Sequence, residues 1–166
     1  QTKDNFFKFW YRFILPNQTA LNLGNAQIVS ELIKQDLNGY VGRIFEDIIK
    51  ELLILYQNKK IKGTEINFEN IGSWWDRNGN EIDLVAYNNR SRQIIVGEIK
   101  WKNEQMGYEA VDELIRKSQL IKFSGEYKLL FVSKSGFTAQ ALKRIEEVKG
   151  IHLNIKEIEE LFDKTS

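Results

Sequence analysis

The sequence contains no cysteine and a single histidine, His152. Disulfide bonds, thiol nucleophiles and the usual zinc sites built from cysteine and histidine are therefore excluded. Catalysis would have to use carboxylates, lysines or hydroxyl groups. Because His152 lies in an apolar run without a second histidine, its pattern favours a structural side chain over a metal ligand.

The chain also lacks a large net charge. Its 24 Lys and Arg residues against 23 Asp and Glu residues give a formal net charge of +1. This near balance excludes a global basic field that would drive non-specific nucleic-acid binding, so any DNA contact must be local or shared with another domain. No Gly-x4-Gly-Lys-[Ser/Thr] motif occurs, which excludes ATP binding by a P-loop in this chain.

Long hydrophobic runs are missing too. No apolar run approaches about 18 residues and no signal-peptide pattern opens the chain. We therefore expect a soluble, cytoplasmic protein without a membrane partner, and the first residue, Gln1, indicates a fragment of a longer chain. A length of 166 residues with 42% hydrophobic and 28% charged residues is typical of one globular domain with a short appendage and excludes disorder.

The first 38 residues predict a helical segment. An aromatic stretch forms a short helix that Asp4 caps and Pro16, the only proline, ends. Asn38-Gly39 predicts a break in the helical pattern. We expect this segment to pack on its own domain or, alternatively, to form a seam to a further domain. The predicted elements are a helix over residues 4–15, a loop over 17–25 and a helix from Ala26 to about Leu37.

Residues 39–166 predict one domain in which helices and strands alternate. Apolar residues from Val41 to Tyr56 recur at the spacing of one helical face. Between residues 63 and 101 the period changes to two, and turn residues separate three runs of an antiparallel meander. This order predicts a mixed sheet with helices on both faces. The later elements are a helix over 108–122, a strand over 127–133, a helix over 138–148, a strand over 151–155 and a final helical turn or two.

The third strand of the meander, residues 93–101, is apolar on both faces and is therefore predicted to be central in the sheet. Glu98 and Lys100 nevertheless share a face with Ile94 and Val96. Charged side chains are rarely buried unless they are paired or bind a metal. Their position therefore predicts an ion pair or a metal site.

The connection between the second and third strands predicts their register. A four-residue turn pairs Asn88 with Gln93, and in that register Asp83 lies directly opposite Glu98, with Cβ atoms roughly 4.5 to 5.5 Å apart. Two such carboxylates require a shared proton, the neighbouring Lys100 or a divalent cation. A register slip by one residue would separate them, and a solvated ion pair at the rim of the sheet remains the alternative.

These residues resemble the PD-(D/E)XK nuclease superfamily, in which an aspartate precedes a Glu-x-Lys strand and a helix upstream carries a glutamate. More specifically, they are similar to the C-terminal domain of archaeal P-loop ATPases. The segment Phe9–Phe13 also resembles the stretch that joins the ATPase and winged-helix part of those proteins to this domain. The matching motifs are Gly42-Arg43-Ile44-Phe45-Glu46, Ile71-Gly72-Ser73-Trp74-Trp75, Glu81-Ile82-Asp83 and Gly97-Glu98-Ile99-Lys100-Trp101.

The resemblance implies a role for each motif residue. Asp83 and Glu98 would bind Mg²⁺ or Mn²⁺, and the backbone carbonyl of Ile99 would complete the metal cage. Lys100 would orient the attacking water or help to deprotonate it. Glu46 would be the helical acid that ligates or assists the metal. A metal held by carboxylates neutralises developing phosphate charge and activates water.

Two features leave alternatives open. Helical periodicity places Glu46 and Glu51 equally close to the apolar stripe, so only the resemblance selects Glu46. Trp74 and Trp75 are adjacent in a strand and must point to opposite faces, so at most one is expected to be exposed for base stacking, and packing in the core is the commoner role.

The resemblance implies an α/β fold with a restriction-endonuclease-like mixed sheet (an α-β-β-β-α-β core), flanked by helices and preceded by an N-terminal helical extension. It implies an Mg²⁺-dependent nuclease that acts on DNA and serves a P-loop ATPase domain of the same full-length protein. The rival is a catalytically silent nuclease-fold module that binds DNA or protein and regulates the ATPase, and a homo-oligomer is left open. A carbohydrate or small-phosphoester hydrolase with paired acids fits less well, because a glycosidase pair gives Lys100 no role.

Overall fold

The structure is a computed structural model that describes residues 5–165. The predicted cap Asp4 lies outside the described residues. The chain divides into two compact units, one up to Val41 and one from Gly42 onward. Among residues 5–165, no helix combines the length and the apolar character needed to cross a membrane.

The first unit is helical, as predicted, but its elements differ from those expected. Helix α1 (Asn5–Phe9) continues into a π-helical turn, a 3₁₀ turn at Leu15–Asn17 and helix α2 (Gln18–Asn22). The predicted stop at Pro16 and the loop over 17–25 were therefore wrong. Pro16 occupies the start of the 3₁₀ turn, where its missing N–H removes no hydrogen bond from the backbone.

The aromatic segment of this unit is only partly packed. Phe13 is buried and its ring lies 5.3 Å from the ring of Tyr40, which Phe9 also contacts at 6.1 Å. Phe7 and Tyr11 are more than half exposed. One side of the segment therefore packs within the first unit, and its other side is exposed.

Helix α3 runs without interruption from Ala26 to Leu55, so the predicted break at Asn38-Gly39 was also wrong. Gly39 does not adopt a positive φ, in contrast to Gly24 (φ +82°), which separates α2 from α3. A glycine in a helix interior costs only about 0.5 to 1 kcal/mol relative to alanine. The flanking helical pattern outweighs this cost, and the boundary between the units falls inside α3.

The second unit contains the predicted mixed sheet with helices on both faces. Five strands follow the order β3-β4-β5-β6-β7, in which the first three pair antiparallel and the last two join in parallel. A separate hairpin, β1 with β2, turns at Gly63 (φ +82°) and was not foreseen. The elements are β1 (Lys59–Ile61), β2 (Thr64–Ile66), β3 (Asn70–Trp75), β4 (Glu81–Asn88), β5 (Gln93–Lys100), α4 (Tyr108–Ser118), β6 (Glu126–Ser133), α5 (Ala139–Glu147), β7 (Ile151–Asn154) and α6 (Ile155–Asp163).

A hydrophobic core lies on each face of this sheet. On one face Ile95 and Ile99 of β5 pack with Phe45 and Ile49 of α3 and with residues of α6. On the other face Ile94 and Val96 pack with α4 and α5. Strand β5 is central and buried along almost its whole length, as its apolar sequence predicts.

Candidate functional site

The register between β4 and β5 is the predicted one. The paired residues run from Asn88–Gln93 to Leu84–Gly97. On the other side of β4, the ladder with β3 is irregular near the same residues. Gly72 of β3 pairs with Val85 of β4, whereas Trp74 pairs with Ile82, so β4 carries one extra residue at a β-bulge.

The bulge places Asp83 differently from the prediction of a direct pair with Glu98. Asp83 lies at the bulge, one residue beyond the regular pairs, and its Oδ2 accepts a 2.7 Å hydrogen bond from the backbone N–H of Ile99. A bulge re-aims the side chain that it contains. The carboxylate therefore reaches along β5 to a backbone donor.

The environment of Asp83 disfavours its charged form. Burial raises the pKa of this carboxyl above its ordinary value, and the negative charge of Glu98 raises the pKa further. The hydrogen bond from Ile99 and the charge of Lys100 act in the opposite direction. The two carboxylates therefore interact electrostatically, as the sequence predicts.

Glu98 is the buried charge of the site. Its residue is only 5% exposed, and its Oε1 forms an ion pair with Nζ of Lys100, which lies at the end of the same strand. Burial lowers the pKa of Lys100, but the hydrogen bond and charge of Glu98 outweigh it, together with the charges of Asp83 and Glu46, so the net pKa is raised. Lys100 is therefore a stable ammonium ion at neutral pH.

Glu46 of α3 joins this group. Burial raises its pKa, and the next largest cause is the charge of Asp83. Glu51, which periodicity could not distinguish from Glu46, is exposed. The tertiary structure therefore brings Glu46, Asp83, Glu98 and Lys100 into one electrostatic group and leaves Glu51 outside it.

The donor chemistry of this group fits a hard divalent cation. Mg²⁺ is held by one or two carboxylates together with water and substrate phosphates, and it prefers oxygen donors. Asp83 and Glu98 supply such a pair. Within residues 5–165, no three His, Cys, Asp or Glu side chains form a ready metal group. The role predicted for the carbonyl of Ile99 is not tested by its N–H contact with Asp83.

Sequence reasoning missed the surroundings of Lys100. A groove of about 340 Å³ beside Lys100 is lined by the loop after β5 and by the start of α4. The register partner of Lys100 on β6 is Ser133, which is fully buried and whose Oγ has no hydrogen-bond partner within residues 5–165. The one sequence signal for Ser133 is that it is a hydroxyl residue at the end of an apolar, buried strand. The groove residues are Lys100, Lys102, Glu104, Gln105, Met106, Gly107, Glu109 and Ala110.

The other singled-out side chains lie apart from this group. His152 contacts the ring of Phe137 edge to face at 5.5 Å, and burial lowers its pKa, in agreement with a structural role. It lines a larger cavity of about 520 Å³ that includes none of the four predicted site residues. Trp74 packs against the core on the α4 side, whereas Trp75 is exposed.

Comparison with known proteins gives two matches. The family model described as DUF234, archaeal and bacterial proteins of unknown function, matches residues 10–113. An uncharacterised protein of Methanocaldococcus jannaschii is 40% identical over 121 residues, which cover 72% of this chain and 26% of that protein. The chain thus spans about a quarter of the length of this curated relative. No solved structure matches the chain.

Proposed function

This chain belongs to the DUF234 family, and we propose that its second unit is a metal-dependent nuclease of the PD-(D/E)XK type with a restriction-endonuclease-like fold, which hydrolyses phosphodiester bonds in DNA. The observation that carries the proposal is the group formed by Asp83, Glu98 and Lys100 where β4 and β5 leave their regular ladder. Matching motif residues thus meet at one place in the fold.

A contribution to the stability of the fold does not explain why these charged residues lie together. A buried ion pair contributes little net stability, because desolvation of both charges offsets their attraction. The raised pKa values of Asp83 and Glu46 mean that their charged forms are held at a cost in free energy. Groups whose pKa values burial and specific charge partners perturb are concentrated at functional sites. The arrangement therefore favours a chemical role.

The roles of the side chains follow from their protonation. Asp83 and Glu98 would hold Mg²⁺ or Mn²⁺, which when bound neutralises phosphate charge and lowers the pKa of water. Lys100, an ammonium group beside Glu98, would stabilise the negative charge that develops on the phosphate. Glu46, with its raised pKa, is the group suited to accept a proton from the attacking water.

The wider protein is part of the proposal. Because the chain has a net charge of only +1, its contact with DNA would be local to one face or shared with another domain. From the resemblance of the motifs, we assign that part to a P-loop ATPase domain of the same full-length protein, acting in the cytoplasm.

One observation favours a second candidate function. Lys100 pairs with Glu98, one of the two residues that would bind the metal. An ion pair that satisfies the carboxylate internally is what a silent nuclease-fold module would keep. This candidate binds DNA or protein and regulates the ATPase without turnover.

The deciding experiment is cleavage of labelled single-stranded, duplex and branched DNA with Mg²⁺ or Mn²⁺, and with EDTA as the blank. Metal-dependent cutting that Asp83→Asn abolishes supports the nuclease. Glu46→Gln and Glu51→Gln form a matched pair on one helix, and only Glu46→Gln should reduce the rate. An inactive wild type whose melting temperature millimolar Mg²⁺ does not change would favour the silent module.

A further inference from the structure

We propose that Trp75 is a stacking platform for an unpaired nucleobase beside the candidate site, so that the DNA bound by this unit contains a single-stranded segment. This inference rests on the proposed function for its choice of ligand. It goes beyond that function because it assigns a binding residue outside the carboxylate group and names the strand state of the substrate.

The exposure of Trp75 sets it apart from its neighbour. Trp75, the last residue of edge strand β3, is 73% exposed, whereas Trp74 packs against the core. Its indole makes no hydrogen bond or ring contact to the rest of residues 5–165. The sequence predicts that at most one of the two tryptophans is exposed, and the fold identifies it as Trp75.

The backbone next to Trp75 is held rigidly. Oδ1 of Asp76 accepts hydrogen bonds from the backbone N–H groups of Asn78 at 2.8 Å and Asn80 at 2.9 Å. The side chain of Asn80 donates to Oδ2 of Asp76 at 2.8 Å and accepts a 3.0 Å hydrogen bond from Arg116 of α4. The backbone that carries Trp75 therefore needs no reordering when the indole binds a ligand.

The position of Trp75 places it near the candidate site. Trp75 pairs with Glu81 across the strands, and Asp83 follows Glu81 by two residues on β4. With about 4.8 Å between strands and about 3.3 Å per residue, the Cα atoms of Trp75 and Asp83 lie roughly 8 Å apart. A base stacked on the indole would therefore belong to a nucleotide close to the phosphate at Asp83.

The face of the sheet that carries Trp75 also presents a cation. By strand alternation Trp75 shares a face with Ile71, which packs against the α3-side core, and with Ser73. Lys50 of α3 donates a 3.4 Å hydrogen bond from its Nζ to Oγ of Ser73. Lys50 follows Glu46 by one helical turn and lowers its pKa through its charge, so this ammonium group lies near Glu46 and contacts the strand that carries Trp75.

An unpaired base is the ligand that this combination favours. Proteins that bind single strands combine a cationic track for the phosphates with aromatic faces on which bases stack. Bases within a duplex are stacked on each other and cannot reach such a face without being flipped out. The exposed Arg77 adds a second cation two residues after Trp75 in the chain.

The test measures binding of the complete 166-residue chain to labelled oligonucleotides in EDTA, by fluorescence anisotropy. For a 12-nucleotide single strand, Trp75→Ala should weaken binding about 5- to 100-fold, the range expected for one stacked base. Trp75→Phe keeps an aromatic face and should stay within about threefold of the wild type. Tyr11→Ala, at an aromatic residue of the first unit that is 64% exposed, is the control and should change nothing.

A hairpin duplex without unpaired bases and a single strand of RNA complete the design. Weakened binding of the DNA single strand, but not of the duplex, supports the stacking role, whereas an effect on RNA alone would overturn the assignment to DNA. Three results would overturn the stacking role: unchanged binding by Trp75→Ala, equal losses of affinity for the single strand and the duplex, or no binding of either nucleic acid by the wild type. The last result would point to a protein partner on this edge.

The failure of this inference is distinguishable from failure of the nuclease. Binding in EDTA requires no turnover, so Trp75-dependent binding by a wild type that never cleaves DNA keeps the stacking role and rejects the nuclease. If the wild type cleaves DNA in a metal-dependent reaction and Trp75→Ala binds single strands as tightly as the wild type, the nuclease is supported and the stacking role is rejected.

Discussion

The backbone N–H of Ile99 donates a 2.7 Å hydrogen bond to Oδ2 of Asp83. Asp83 lies at a bulge of β4 against β3, one residue beyond the last regular pair of β4 with β5. The carboxylate therefore satisfies a backbone donor at this irregularity and also carries the charge that the proposed metal requires. These two roles can be separated by substitution.

Asp83→Asn should abolish metal-dependent cleavage and leave the fold intact. The amide keeps an oxygen acceptor for the N–H of Ile99 but loses the negative charge. Because the pKa of Asp83 is raised, removing the charge should leave the free energy of unfolding unchanged or higher. Chemical denaturation measures stability, and the expected loss of activity exceeds about 100-fold, more than is typical for residues that only support ligands.

Asp83→Ala is the matched comparison. It leaves the N–H of Ile99 without its acceptor, and an unsatisfied buried donor costs about 1 to 3 kcal/mol. We expect Asp83→Ala to be less stable than Asp83→Asn by an amount in this range. Equal stability of the two variants would show that the hydrogen bond contributes nothing to the fold.

Lys100→Met should destabilise the protein, because it leaves Glu98 buried without its ion pair. Breaking a fully buried pair costs about 3 to 5 kcal/mol. The side chain of Lys100 is 34% exposed, so solvent reduces the expected cost to about 1 to 3 kcal/mol. The double variant Glu98→Gln, Lys100→Met should recover most of this loss in urea denaturation.

A double variant as unstable as Lys100→Met alone would contradict the assignment of Glu98 as the stranded charge. Loss of activity without loss of stability would place Lys100 in the chemistry alone.

Stability should rise as the pH falls from neutral, through the effect of Glu46 and Asp83. Both pKa values are raised above the ordinary 4.5 and 3.8, so the folded state binds these protons more readily than the unfolded state. Their stabilising contribution is full below those ordinary values and is lost as the pH rises through the folded pKa values. The effect is isolated by comparing the wild type with the double variant that combines Glu46→Gln and Asp83→Asn. Thermal unfolding between about pH 4 and 8 gives the free energy of unfolding of each protein.

The difference in free energy of unfolding, wild type minus double variant, should increase toward acid pH. A difference that is constant over this range, or that decreases toward acid pH, would show that the two carboxyls do not have raised pKa values in the folded protein.

Gly39→Ala should stabilise the protein, because α3 is continuous through this position. A Cβ at Gly39 meets no atom within 4 Å. Alanine in a helix interior is favoured over glycine by about 0.5 to 1 kcal/mol, which raises the melting temperature of a protein of this size by about 1 to 4 °C. Calorimetry measures the change.

Gly97→Ala is the control for that substitution. A Cβ at Gly97 would lie 3.2 Å from Cβ of Leu84 on the neighbouring strand, so this variant should be less stable than the wild type. If Gly39→Ala lowers the melting temperature, the helix is not continuous at Asn38-Gly39 in solution.

Local sequence patterns were sufficient for much of the second unit. The period-two runs predict β4 and β5, and the four-residue turn between Asn88 and Gln93 predicts their register, because turn length limits which residues face each other. They were not sufficient at Asn38-Gly39 and Pro16. There the local signals for a break are weak free-energy costs that the surrounding helical pattern outweighs.

The sequence by itself determined the kinds of chemistry available, the central position of β5, and the two strands that carry Asp83, Glu98 and Lys100. Composition and periodicity are local properties that a chain carries before it folds. Only the tertiary structure decided that Glu46 rather than Glu51 joins the acids, that a bulge directs Asp83 to Ile99, and that Trp75 is the exposed tryptophan. Each of these depends on packing between residues far apart in the chain, which no local pattern records.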